Sequence, residues 1–147
     1  MKILSRQLTL DLYNCNEKKF ADAEAIKTAV EGVFGTGIEI ISTAIDNEHF
    51  GLVAAFKEGH VALHIYNELK YVAADIFTCS ESEESEELAK NLRKYFQPEK
   101  IKTTYLKRGD FGQEKDIKPK IKVRVAPLRK VRNVGARVVK KLVQGGN

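Results

Sequence analysis

The residues of this chain best suited to chemistry lie between positions 58 and 79. They are a carboxylate, two imidazoles and a thiol, namely Glu58, His60, His64 and Cys79. Side chains of these types are the ones that most often transfer protons in enzymes. They form a candidate site, provided that the elements around them bring them together.

The segments around these residues have the pattern of paired β-strands. Residues 51–56 and 61–66 are apolar runs separated by a turn near position 58, which predicts a hairpin. Side chains alternate between the two faces of a strand, so His64 and Tyr66 point away from the apolar face of theirs. Cys79 follows a third predicted strand, 71–78, and shares a face with Phe77. The alternation predicts that His64 and Cys79 converge at one site.

Residues 58–79 resemble the self-processing and active-site region of the small prokaryotic S-adenosylmethionine decarboxylases. That family has Glu-Ser-His, a second His four residues later, and a strand that ends in Phe-Thr-Cys. This chain has Glu58-Gly59-His60, then His64, and then Phe77-Thr78-Cys79. The resemblance extends over roughly residues 1–112. It implies a two-layer protomer that pairs through its sheets, and a role in polyamine (spermidine) biosynthesis.

The resemblance also implies a pyruvoyl-dependent lyase, and Gly59 stands where the pyruvoyl group would arise. In the family, the Ser hydroxyl attacks the preceding Glu carbonyl. Elimination across the Ser Cα–Cβ bond then cuts the chain and leaves a pyruvoyl group at the new amino terminus. Gly59 has neither a hydroxyl to attack Glu58 nor a Cβ. The sequence therefore predicts an uncut chain without this cofactor.

Other positions of the family's site are retained in part. The resemblance implies that His64 assists processing and that Cys79 donates a proton to the product. Gly51 stands where the family tends to have another active-site Ser, and a Pro of the family is replaced, whereas the Glu after it is kept. The predicted ligand-binding residues are Phe50, Tyr66 and Glu68. No metal site is predicted, because the sequence shows no close ligand pairing among His49, His60, His64 and Cys79.

These residues favour a decarboxylase-family homologue that has lost or changed the family reaction. It would bind an S-adenosylmethionine-like or amine ligand, or regulate an active paralogue by mixed dimerisation. A second hypothesis is that Gly59 is an engineered change that holds an active decarboxylase as its proenzyme. Gly51 and the choice of Gly rather than Ala count against it. The plainest alternative is that His64 is a hydrogen-bonded structural residue and Cys79 a small hydrophobe.

A third hypothesis comes from the distribution of charge. Residues 113–147 have eleven Lys and Arg against two acidic residues, whereas residues 1–112 have 14 basic and 18 acidic residues. Such a tail is typical of binding to nucleic acid or to an acidic partner. The tail has no aromatic residue, which favours a solvated strand and helix over a nucleic-acid site.

The composition, with 43% hydrophobic and 31% charged residues, is that of a soluble globular protein. No apolar run approaches the roughly 20 residues of a membrane span, and residues 1–6 lack the apolar core of a signal peptide. Cys15 and Cys79 are expected to be free thiols. We expect a cytoplasmic protein that does not bind membranes.

The remaining pattern predicts an α+β fold. A helix is predicted over 17–34 with Asn16 as its N-cap, and a second one from the acidic run 81–87 to Pro98. Further strands are predicted at 8–12, 38–42, 101–106 and 121–125, and a basic amphipathic helix at 128–142. The expected domains are 1–112, a two-layer α/β sandwich with an antiparallel sheet, and the extension 113–147. Helices on one face leave the other uncovered, so we expect a homodimer with four layers, α/β/β/α.

Overall fold

In the computed structural model, residues 5–20, 23–34, 38–44, 48–79, 84–109 and 118–125 are described. Their strands are β1 (Ser5–Tyr13), β2 (Glu39–Ala44), β3 (His49–Phe56), β4 (Gly59–Tyr66), β5 (Tyr71–Thr78), β6 (Lys100–Arg108) and β7 (Lys120–Val125). The helices are a short 3-10 helix (Glu17–Lys19), α1 (Ala23–Phe34) and α2 (Glu84–Phe96). Within these residues one antiparallel sheet has the order β2-β3-β4-β5-β1-β6-β7.

Both α-helices pack on one face of this sheet, where the core lies. The core side chains alternate along each central strand, as Leu8, Leu10 and Leu12 do along β1. They meet Ile26 of α1 and Phe96 of α2, which are at most 2% exposed. Each such side chain contributes roughly 1.5–3 kcal/mol by leaving water. The predicted fold class, an α+β two-layer sandwich, is confirmed.

Two tight turns set the register of the central strands. Only Lys57 and Glu58 separate β3 from β4, so Phe56 pairs with Gly59 and His49 pairs with Tyr66. A four-residue turn then returns the chain into β5, and Tyr66 pairs with Tyr71. The predicted hairpin is confirmed, and its short turn determines which side chains lie opposite one another.

The first predicted helix is wrong in one respect, because it is two helices rather than one. Asn16 does act as an N-cap, since its side chain accepts a hydrogen bond from the Lys18 amide at 3.2 Å, but it caps the 3-10 helix. The Asn16 amide is bound to the Phe96 carbonyl, and the buried Phe20 ring stacks on the Phe96 ring. These contacts hold the first turn against α2, and α1 starts only at Ala23.

The end of α2 agrees with the prediction. Its last residue is Phe96, two positions before Pro98. Gln97 has a φ of 49°, and its amide donates a hydrogen bond to the Arg93 carbonyl at 3.0 Å. A left-handed residue at this position closes the last turn of a helix.

The described part of the basic extension continues the sheet. The predicted strand at 121–125 is β7, which pairs with β6 from Lys100↔Val125 to Tyr105↔Lys120. The predicted boundary after residue 112 therefore does not separate this strand from the main sheet. The predicted helix at 128–142 lies outside the described residues. No helix within the described ranges is long and apolar enough to cross a membrane.

Candidate functional site

The sheet face away from the helices, here the open face, carries His64 and Tyr66 as the sequence predicted. Alternation places one set of side chains from each strand there. Cross-strand pairing aligns His64 with Gly51 of β3 and Ala73 of β5, two small residues. The side chains on both sides of His64 are therefore small, and the His64 ring is exposed.

His64 has an aromatic partner that the sequence analysis missed. His49 Nε2 lies 2.9 Å from His64 Nδ1, within hydrogen-bonding distance. One of the two nitrogens must donate and the other accept, so only one of these two facing nitrogens carries a proton. The His49 ring also stacks on Tyr66, with centroids 4.1 Å apart and planes 16° from parallel. The pair thus holds both imidazoles in fixed orientations on the open face.

The aromatic row continues across β5 and β1. The Tyr66 and Tyr71 ring centroids are 5.8 Å apart, and those of Tyr71 and Tyr13 are 5.3 Å apart. The Tyr71 hydroxyl donates a 2.5 Å hydrogen bond to Asp11 Oδ1. Burial and then this bond to a carboxylate raise the pKa of Tyr71 above its usual value. We call the set His49, His64, Tyr66, Tyr71, Tyr13 and Asp11 the open-face cluster.

The processing positions lie at the other end of β4 and β5. Glu58 is exposed in the turn, and its carbonyl accepts a 2.7 Å hydrogen bond from the Cys79 amide. Cys79 is an exposed free thiol just after β5. The His60 ring stacks on Phe77 beside them, with centroids 5.4 Å apart. Glu58, Gly59 and Cys79, which the resemblance to the family singled out, are therefore neighbours.

Gly59 is packed against the main chain of β5. A Cβ added at this position would lie 1.9 Å from the Phe77 carbonyl oxygen and 3.0 Å from Thr78 Cα. Atoms of a rigid strand cannot yield as the end of a long side chain does. The backbone at this position thus leaves no room for the Cβ and hydroxyl of a serine. The residues present do not fit formation of a pyruvoyl group here.

The predicted convergence of His64 and Cys79 is not observed. Both belong to the open face, but His64 pairs with Ala73, and Cys79 lies six residues further along. At roughly 3.3 Å per residue the two positions are about 20 Å apart. Side-chain alternation identified the face correctly, whereas position along the strand depends on register.

The other two predicted ligand-binding residues lie away from the open-face cluster. Phe50 pairs with the buried Ile65 and packs against the core, so it is on the helix face of the sheet. Glu68 is exposed in the turn between β4 and β5. Of the three predicted ligand-binding residues, only Tyr66 therefore lies in the same cluster as His64. Ligand-binding roles for Phe50 and Glu68 stay predictions.

His49 could have been found from the sequence. His49 lies two residues before Gly51 and therefore on the same face of β3. The two-residue turn fixes the pairing of β3 with β4, which places His49 beside His64 and Tyr66. The 2.9 Å contact between His49 and His64 is a pairing that the sequence analysis did not identify. No group of three or more His, Cys, Asp or Glu placed to hold a metal ion occurs among the described residues.

Comparison with known proteins gives one consistent result. The profile of the S-adenosylmethionine decarboxylase family matches residues 6–109. The chain is 30% identical over 122 residues to the S-adenosylmethionine decarboxylase proenzyme of Methanococcus maripaludis strain S2, covering 79% of this chain and 100% of that protein. It is 29% identical over 117 residues to that of Caldicellulosiruptor saccharolyticus, covering 77% and 94%.

Two solved structures are similar in fold. The adenosylmethionine decarboxylase of Aquifex aeolicus VF5 superposes with a TM-score of 0.67 at 20% identity, covering 80% of this chain and all of that one. The Trypanosoma brucei AdoMetDC-delta26 monomer superposes with a TM-score of 0.54 at 13% identity, covering 68% of this chain and 45% of that one. These likenesses concern the arrangement of helices and strands.

Proposed function

This chain belongs to the S-adenosylmethionine decarboxylase family, and we propose that it is a member that remains one uncut polypeptide and works by binding rather than by decarboxylation. Its ligand would be an S-adenosylmethionine-like molecule or an amine, held on the open face. Through the same face it would pair with another copy or regulate an active paralogue.

The observation that carries the proposal is the position of Gly59. Cutting between residues 58 and 59 by the family route needs a hydroxyl on residue 59 and a Cβ from which it can be eliminated. Gly59 supplies neither, and the Phe77 carbonyl occupies the place where the Cβ would stand. The main chain is thus adapted to glycine. This favours a natural uncut protein over the alternative of an active decarboxylase changed at one engineered position.

The chemistry of the open-face cluster supports a cationic ligand. Three tyrosine rings and two imidazoles line it, and aromatic faces attract sulfonium or ammonium groups and stack on a purine. Asp11 adds a carboxylate, with its Oδ1 bound to the Tyr71 hydroxyl. A positively charged nucleoside or a polyamine matches this combination of rings and negative charge.

The open face also carries the apolar residues expected of an interface. Four aliphatic side chains on it are 42–65% exposed, namely Ile41, Val53, Ile121 and Val123. A second sheet packed against them would give the four-layer α/β/β/α arrangement. A related chain that retains its serine would present a similar face, so a mixed dimer is the route by which this chain would regulate an active paralogue.

Intact-mass measurement of the purified full-length chain tests the uncut state. We expect a single species at the chain mass of 16.5 kDa, with no carbon dioxide released from S-adenosylmethionine. Two fragments separating between residues 58 and 59 would refute the proposal, because they would show that the chain processes itself without a serine at 59.

Calorimetric titration with S-adenosylmethionine and with spermidine tests the ligand. His64→Ala should weaken binding about tenfold or more by removing one side of the cluster. His60→Ala is the matched control, since His60 is also exposed on β4 and shares the open face but stacks on Phe77 instead. Equal effects of the two substitutions, or no binding of either compound, would contradict a ligand site at the cluster.

A further inference from the structure

A concave site lies on the opposite side of the sheet from the open-face cluster, between α2 and the edge strand β7. Its cavity has a volume of about 350 Å³, within the range of small-molecule sites. We call it the α2–β7 groove, and it exists because no helix of the described chain covers β6 and β7 on this side. The open-face cluster takes no part in it.

The walls of the groove are basic. Lys90 and Arg93 come from α2 and Lys107 from β6, and β7 supplies Lys120, Lys122 and Arg124. Glu86 is the one carboxylate in the lining, so six cations face one anion. None of these cations has an ion-pair partner among the described residues, where the salt bridges are Lys27–Glu24 and Lys70–Glu17.

The alternation of β7 shows that this charge is directed to one side. Lys120, Lys122 and Arg124 share the helix face and line the groove, whereas Ile121 and Val123 point to the open face and are 60% and 55% exposed. Basic residues on an edge strand often serve only to block pairing with other chains. That role does not require them to gather on one face opposite the cations of α2, where like charges repel.

The floor of the groove is apolar. Leu8, Leu10 and Leu12 of β1 and Ile101 of β6 form its base, and the half-buried Tyr105 and Thr103 stand on its side. A low-dielectric floor beneath unpaired cations strengthens their field and concentrates anions. Binding of a nucleic-acid backbone by charge alone would not require an apolar floor. The ligand should have both a ring and several negative charges.

We propose that the α2–β7 groove binds an organic polyphosphate of nucleotide size, with its ring on the apolar floor beside Tyr105 and its phosphates between α2 and β7. Arg93 and Arg124 offer planar forks of N–H donors that match phosphate oxygens, and the lysines add point charges. Several phosphates are needed to balance a net excess of cations, so a nucleoside triphosphate fits better than a monocarboxylate.

Isothermal titration of the full chain with ATP at about 150 mM salt tests the proposal, with inorganic tripolyphosphate and adenosine as separate probes. We expect ATP to bind at micromolar concentrations, tripolyphosphate at least several-fold more weakly, and adenosine not measurably. Tripolyphosphate that binds as tightly as ATP would refute a role for the floor. No binding of ATP would refute the site.

Three charge reversals of equal size locate the binding. Lys122→Glu, on the exposed edge strand, should weaken ATP binding at least tenfold, and thermal melting will report whether it folds. Arg124→Glu is the second groove variant. Lys57→Glu in the β3–β4 turn changes the net charge equally and should leave binding unchanged.

Two results would overturn the assignment even if ATP binds. One is an equal loss of affinity in the groove variants and in Lys57→Glu, which would show a general charge effect. The other is tight binding of a single-stranded oligonucleotide, far tighter than that of ATP, which is lost in the Lys122→Glu variant. That result would make the groove part of a nucleic-acid surface.

Discussion

The amide of Cys79 donates a 2.7 Å hydrogen bond to the carbonyl oxygen of Glu58. This is the carbonyl that a serine at position 59 would attack in a self-processing relative. The neighbouring β5 main chain at the same time closes the space above Gly59. The junction between Glu58 and Gly59 therefore has the hydrogen bonding of an ordinary β-ladder end, and the exposed Cys79 lies beside it.

The first prediction concerns Gly59 itself. Gly59→Ala should lower the free energy of unfolding by about 1–3 kcal/mol, the usual cost of overpacking, because the new Cβ would meet the Phe77 carbonyl at 1.9 Å unless the strand moves. Urea denaturation measures the change. Gly32→Ala is the control, since Gly32 lies within α1 and its Cβ would meet nothing within 4 Å. That substitution should stabilise the chain by up to about 1 kcal/mol.

Gly59→Ser extends the same experiment to the engineered-proenzyme hypothesis. We expect a destabilised chain that stays in one piece. Rapid cutting between residues 58 and 59, followed by decarboxylation of S-adenosylmethionine, would instead favour an active decarboxylase with one changed residue. For the preceding prediction, a Gly59→Ala protein as stable as the parent would be the contrary result. It would show that β5 moves aside at no cost in free energy.

Local patterns in the sequence predicted much of the fold but little of its long-range arrangement. Alternation identified the faces of the strands, and the turn residues Lys57 and Glu58 contained enough information for the register that puts His49 beside His64. The position of β1 between β5 and β6 depends on contacts between distant segments. The break before α1 has the same origin, since it depends on Phe20 meeting Phe96.

The two candidate sites differ in the same way. A family-like spacing led to Glu58, Gly59 and Cys79, which are indeed neighbours. The α2–β7 groove could not be predicted, because its cations come from three elements and converge only when β7 pairs with β6. The charge count indicated a basic tail, whereas the direction of its side chains depends on that pairing.

The second prediction concerns Tyr71 and alkaline pH. Burial and the hydrogen bond to Asp11 raise the pKa of the folded-state phenol above the usual value of 10.0. The neutral phenol therefore stabilises the fold fully below about pH 10, and this contribution is lost as pH rises through the folded-state pKa. Tyr71→Phe should be less stable than the parent by about 1 kcal/mol at neutral pH, and the difference should shrink above pH 10.

Urea denaturation at steps between pH 8 and 12 follows this difference, and comparison with the variant removes the titration of other groups. Asp11→Asn keeps an acceptor for the Tyr71 hydroxyl but removes the charge, so its stability should fall less steeply with pH than that of the parent. A parent–variant difference that stays constant through this range would mean that Tyr71 does not titrate with a raised pKa.

The third prediction separates the two thiols. Burial raises the pKa of Cys15 to about 12, and the residue is 3% exposed, whereas Cys79 is exposed. Since the thiolate is the reactive form, iodoacetamide at pH 8 should modify one site in the native chain and both in urea. Peptide mapping identifies the site. Cys79→Ala should take up no label when native, and labelling of Cys15 there would contradict the buried position.

The last prediction concerns the open face and assembly. The cross-strand pair Ile41 and Val53 leaves 65% and 42% of its side chains exposed on that face. Light scattering should report about twice the chain mass of 16.5 kDa. Ile41→Asp with Val53→Asp should shift the protein to monomer, because burying apolar side chains contributes roughly 1.5–3 kcal/mol each and the new carboxylates would be desolvated. A loss of about 3 kcal/mol weakens dimerisation about 100-fold.

Leu69→Lys is the matched control: Leu69 is 67% exposed but lies in the β4–β5 turn, so its replacement should leave the dimer intact. Dissociation by Leu69→Lys, or a dimer that survives both aspartates, would mean that the interface lies elsewhere.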